Sequence, residues 1–99
     1  MYAVVRESQL RSGVQGPNQA AREEFAALRH RQPGHHGSMS IDIGGGRILT
    51  IGLWDSQQSA DAAGPILRPE MERLLLPELT GPPEVIHQGT VIGNDITRS

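Results

Sequence analysis

This sequence predicts an α+β domain of order β-α-β-β-α-β, with a four-stranded antiparallel sheet and two helices on one face. Three observations carry that reading. Apolar residues switch from a helical to a two-residue spacing after Pro33-Gly34. Three consecutive glycines separate two alternating runs, a hairpin signal. The 99 residues leave room for a single core, so residues 1–99 are read as one domain of the ferredoxin-like split type.

Each element follows from local chemistry. Tyr2 to Glu7 is a short β-prone run, and the Gly13 to Asn18 loop ends near Gly16-Pro17. From Pro17, which suits a first helical position, Ala21, Phe25 and Leu28 form an apolar stripe, and Pro33-Gly34 stops the helix. Met39, Ile41 and Ile43 alternate with Ser38, Ser40 and Asp42, and a second strand runs from Arg47 to Trp54. Asp55 and Ser56 are helix N-cap candidates because their side-chain oxygens accept from free backbone N–H groups. A helical region over 57–63 resumes at Pro69, with Met71, Leu74 and Leu75 inward; Gly64-Pro65 and Arg68-Pro69 are expected to break it in two. After Gly81-Pro82-Pro83, Glu84 to Ile92 reads as the last strand.

The hairpin register follows from keeping the faces unmixed. Pairing Ile43 with Arg47 sets Ile41 opposite Leu49, Met39 opposite Ile51 and Gly37 opposite Leu53, all on one side. The other side then collects Asp42 with Ile48, Ser40 with Thr50, Ser38 with Gly52, and His36 with Trp54. This half-polar face is either a partly wet surface or the floor of a small-molecule cavity whose polar groups orient a ligand.

Composition narrows the chemistry. There is no cysteine, which excludes disulfides, thiolate catalysis and iron–sulfur clusters. All nine basic residues are arginine, which excludes Schiff-base chemistry and a P-loop lysine. A net charge of −2 shows no nucleic-acid footprint. Neither a dinucleotide fingerprint nor a metal-ligand cluster occurs, so no cofactor is expected. The start has no apolar stretch for a signal peptide or membrane span, and the expected location is cytoplasmic. Only Tyr2, Phe25 and Trp54 are aromatic, and a domain this small buries roughly 60–65% of its unfolded surface. A homodimer is the simplest way to enlarge such a core.

Several segments resemble the antibiotic biosynthesis monooxygenase family of dimeric α+β barrels over nearly the whole chain. They are Pro33-Gly34 before the hairpin, Leu49-Thr50-Ile51-Gly52-Leu53-Trp54, the continuation Asp55-Ser56-Gln57-Gln58-Ser59-Ala60, and Gly81-Pro82-Pro83 before the last strand. The resemblance implies a homodimer whose sheets pack face to face, burying Met39, Ile41, Ile43, Leu49, Ile51 and Leu53. It also implies a ligand cavity between the Trp54 face and the helices. Well-understood members oxidise phenolic compounds with dioxygen, without metal or flavin: the ionised substrate gives an electron to oxygen directly, while the protein holds the anion and excludes water.

Those enzymes share an asparagine four residues before the strand tryptophan, a tyrosine six after it, and an arginine on the second helix. Here Trp54 matches, while Thr50 and Ala60 stand at the asparagine and tyrosine positions, and Arg68 and Arg73 straddle the arginine position. The heme-degrading branch, with its strand-1 asparagine and second-helix tryptophan and histidine, does not fit: Glu7 lies near the first position, and no histidine lies between His36 and His87.

The candidate catalytic residues are His36, a proton acceptor for a phenol, and Trp54, a stacking platform. The candidate ligand-binding residues are Ser38, Ser40, Thr50, Trp54, Arg68 and Arg73. Each has a plainer alternative: Trp54 as the largest core residue, His36 as a surface histidine, Arg68 and Arg73 as solvated helix residues. The expected activity is cofactor-independent oxygenation of an aromatic or phenolic metabolite. The alternative is a non-catalytic homodimer of the same fold, structural or binding a small apolar molecule.

Overall fold

The computed structural model describes residues 1–14 and 18–95. Its elements are β1 (Tyr2–Gln9), α1 (Gln19–His30), β2 (His35–Gly44), β3 (Arg47–Trp54), α2 (Gln57–Leu74), a 3-10 turn (Leu76–Glu78) and β4 (Glu84–Thr90). All strand pairs are antiparallel, in the order β2-β3-β1-β4. This is the ferredoxin-like α+β fold that the sequence predicts.

Helix α1 starts at Gln19, later than expected. Asn18 is its N-cap, its side chain accepting from the Ala21 N–H at 3.1 Å. The expected helical start at Pro17 lies outside the described residues. The expected break in α2 does not occur: the helix runs unbroken through Pro65 and Pro69. The two prolines are four residues apart and exposed, so the carbonyls of Asp61 and Pro65, deprived of their N–H partners, face water. Meanwhile Ala60, Ala63, Leu67, Met71 and Leu74 keep a continuous inward stripe that holds the helix down. The last strand ends at Thr90, two residues before the expected Ile92, which is fully exposed.

Helix α2 packs on β1 and β3, and α1 packs on β2 and α2. The core is thin: Tyr2, Val4, Trp54 and Ala63 are buried together, with Ala60 and Leu67 against them. The opposite sheet face carries Met39 and Ile41 beside Leu49, Ile51 and Val5, with Met39 54% and Ile41 39% exposed.

The hairpin pairs as expected from Gly37–Leu53 to Asp42–Ile48. Both ends depart from the expectation by one residue. At the turn, Gly44 rather than Ile43 opposes Arg47, because Gly45 and Gly46 both adopt positive φ and close a two-residue loop. At the other end, His36 is an extra residue between the His35–Trp54 and Gly37–Leu53 pairs. Gly37, with φ of 138°, absorbs this bulge. His35, not His36, therefore stands opposite Trp54.

Candidate functional site

Along β1, alternate residues point to one face, and the pairing extends that alternation across the sheet in rows. On the helix-covered side, Ser8, Ile48 and Asp42 form one row, and Arg6, Thr50 and Ser40 the next. Val4, Gly52 and Ser38 follow, then Tyr2, Trp54 and His35. The β2 half of this face is polar at Ser38 and Ser40 because α1 does not seal it.

The result is a partly open cavity of about 330 Å³ between the sheet and α1. Ser8, Ser38, Ser40 and Thr50 supply hydroxyls to its floor, with Ser40 Oγ 3.3 Å from Thr50 Oγ1. Phe25, Leu10, Leu74, Leu75 and Leu79 give it apolar walls, and Arg22 and Arg29 give it charge. Concave shape, apolar walls and a few convergent polar groups suit a small ligand.

The sequence-derived candidates separate in space. Ser38, Ser40 and Thr50 meet in this cavity. Trp54 does not line it; its indole is 4% exposed in the Tyr2–Val4–Ala63 core, and Nε1 leans over Gly52, 3.4 Å from where a Cβ would stand. Trp54 thus closes the row next to Ser38. Arg68 is exposed on α2 and outside the cavity. Arg73 also points away, held by Glu24 at 2.8 Å and Glu70, and these bonds push its pKa further up. His36 is exposed, with Nε2 against Asp55 Oδ1.

Three residues outside the sequence-derived candidates lie at or beside the cavity. His35 packs edge-on against Trp54 (centroids 4.8 Å apart) and against His30 (5.6 Å), with both ring nitrogens buried and unpartnered among the described residues. Burial lowers its pKa, as do the positive charges of Arg29, His30 and His36, so the neutral ring is favoured. A bulge carries no clear sequence signal other than Gly37, whose freedom at positive φ permits it. Arg22 and Arg29 fall off the Ala21–Phe25–Leu28 stripe, yet at i and i+7 they flank Phe25 and Ala26 on the cavity side. Reading arginine stems as apolar would find them. The Arg29 guanidinium carbon lies 5.5 Å from the Phe25 ring centroid, and its buried Nε has no acceptor among the described residues, a cost of about 1–3 kcal/mol.

Among the described residues, no group of three or more His, Asp or Glu could hold a metal ion, and no helix is long and apolar enough to cross a membrane.

The fold and cavity define a class: small ferredoxin-like α+β domains that open a pocket between sheet and helices. No protein-family model and no curated protein matches the sequence. Solved structures match across nearly the full chain at low identity, and they include antibiotic biosynthesis monooxygenase family proteins. A proposed antibiotic biosynthesis monooxygenase from Bordetella bronchiseptica aligns with a TM-score of 0.75 and 18% identity, over 92% of this chain and 96% of that one. SnoaB, a cofactor-independent oxygenase from Streptomyces nogalater, aligns with a TM-score of 0.70 and 17% identity over 94% of each chain. A protein of unknown function from Nitrosomonas europaea aligns with a TM-score of 0.70 and 13% identity, over 99% of this chain and 95% of that one. The shared feature is the fold.

Proposed function

We propose that this chain is a homodimer that binds a small aromatic metabolite between α1 and the sheet and oxidises it with dioxygen, without a cofactor. The cavity is the observation that carries the reading: its apolar walls suit a ring, and Ser38, Ser40 and Thr50 can orient a ring hydroxyl. Fold likeness to SnoaB, described as a cofactor-independent oxygenase, supports the chemistry by analogy alone. An ionised phenol gives an electron to oxygen, and the protein holds the anion and limits water.

In this reading the proton acceptor is His35 rather than His36, since its ring nitrogens have no partner among the described residues and its lowered pKa keeps it neutral. His35 and Trp54 occupy the row next to the cavity floor without lining the cavity, so in this reading a substrate over Ser38 reaches His35 only when the wall between them opens. Dimerisation follows from the exposed Met39–Ile41 face, which a second sheet would cover. The protein is taken to act in the cytoplasm. The test is oxygen uptake by purified, metal-free protein over a panel of polycyclic phenols and hydroquinones. Uptake above the protein-free rate is expected; none across the panel overturns the oxygenase.

A second reading, a non-catalytic binding dimer, is favoured by two observations. Trp54 is consumed by the core, and Thr50 and Ala60 stand where the resemblance would have asparagine and tyrosine.

A further inference from the structure

Six arginines fall into two groups, while Arg31 and Arg68, exposed and outside the cavity, have no ion pair among the described residues either. Arg11 donates to the Leu79 carbonyl at 2.9 Å, Arg47 pairs with Glu7 at 3.2 Å, and Arg73 pairs with Glu24 and Glu70. Arg6, Arg22 and Arg29 have no ion-pair partner among the described residues, although they lie close enough to repel one another at Arg29. Arg22 and Arg29 line the cavity, and Arg6 sits beside Thr50 on its sheet side. Two carboxylates also line the cavity, but both are turned to other work. Glu78 accepts from the Asn18 N–H at 2.9 and 3.1 Å, and Glu23 accepts from Gln19 at 3.2 Å.

Glu23 and Glu78 balance the formal charge of the cavity but neither forms an ion pair with Arg22 or Arg29, and a buried guanidinium Nε–H without an acceptor among the described residues is unfavourable. The Arg29 guanidinium carbon lies 5.5 Å from the Phe25 ring centroid, a cation–π contact that uses no N–H donor, and its Nε–H has no acceptor among the described residues. An anion with two oxygens is the partner such a planar donor fits best.

We propose that the cavity selects an aromatic carboxylate, its ring packed on Phe25 and the leucine wall, and its carboxylate held by Arg22 and Arg29 above the Ser40–Thr50 hydroxyls. This rests on the reading that the cavity binds a small aromatic molecule, and it adds the charge of that molecule. Arg6 contributes long-range attraction. The Arg29 side chain, already stacked and half-buried, needs little ordering when the ligand arrives.

The test is calorimetric titration of the full chain with one- to three-ring aromatic carboxylates, each matched to its primary amide, which keeps the shape and removes the charge. Expected is at least tenfold tighter binding of one or more acids than of the matching amide. Arg29→Gln should weaken the acid at least fivefold more than it weakens the amide. Arg22→Gln is the second variant, less dependent on the Phe25 stack, and should act in the same direction while circular dichroism stays native. Equal affinity for acid and amide overturns the anion site and leaves the cavity reading standing. Binding of neither throughout the panel overturns both.

Discussion

His35 and Trp54 meet edge-on across the β2–β3 pair, with centroids 4.8 Å apart and ring planes at 68°. The contact exists because β2 carries one extra residue at His36. Folding places the imidazole where its charged form is disfavoured by burial and by Arg29, His30 and His36. Its folded pKa therefore lies below the ordinary value of 6.5, and below that pH the unfolded chain binds more protons. Stability from this group is complete above about pH 6.5 and declines as pH falls towards the folded pKa. Thermal melts at pH 7.5 and 5.5 should show a smaller acid-side loss in His35→Gln than in the wild type. An unchanged difference would mean His35 is well solvated.

Gly34 is the tightest backbone position in the loop ahead of β2. It has φ of 84°, its carbonyl accepts from the Asp55 N–H at 2.8 Å, and an added Cβ would stand 2.6 Å from Ser59 Oγ. Gly34→Ala should cost about 2 kcal/mol, from left-handed strain and the clash together. Tm should drop by roughly 10 °C. Gly64, inside α2 with nothing within 4 Å of an added Cβ, is the contrast. Gly64→Ala should change stability by less than about 0.5 kcal/mol, because the gain in helix propensity is offset by the crowding of a Cβ against the Pro65 ring that follows it. Chemical denaturation of both variants checks the size of each.

Alternation assigns the faces of β2 and β3, so Ser38, Ser40 and Thr50 are legible as one polar patch from the sequence alone. The bulge is not legible, because adjacent histidines give no preference for which one faces Trp54. Helix α2 misleads at Pro65 and Pro69, where the local penalty of proline yields to a packed stripe from Ala60 to Leu74. The arginines of α1 are hidden for the opposite reason: charge suggests solvent, while their stems and Phe25 shape the cavity wall.

Ile51 lies at the middle of the open sheet face, opposite Met39 on one side and Val5 on the other. If a second sheet covers this face, Ile51→Asp buries a carboxylate without a partner. Dimer affinity should fall at least about a thousandfold, about 4 kcal/mol. Sedimentation velocity should give twice the chain mass for the wild type at micromolar concentration, and a monomer or unfolded chain for the variant. Ile66→Asp, at a 58% exposed position on α2, should leave the mass unchanged. A folded wild-type monomer would remove the face-to-face arrangement.

The two neighbouring histidines give the sharpest test of the oxygenase reading. The ring nitrogens of His35, buried beside Trp54, have no partner among the described residues, whereas the Nε2 of His36 is committed to Asp55 at the exposed end of β2. If His35 takes the phenolic proton, His35→Gln should lower oxygen uptake at least tenfold where the phenol is not already ionised. Raising the pH above the substrate's own pKa should restore much of the rate, because the base is then no longer needed. His36→Gln should change the rate less than twofold at every pH. Trp54→Phe should weaken turnover and stability together, since the same ring serves the core. Uptake measured across pH for wild type and the three variants separates the cases. Equal losses for His35→Gln and His36→Gln at every pH would point to a general disturbance of the bulge rather than to a base, and the binding dimer would become the better account.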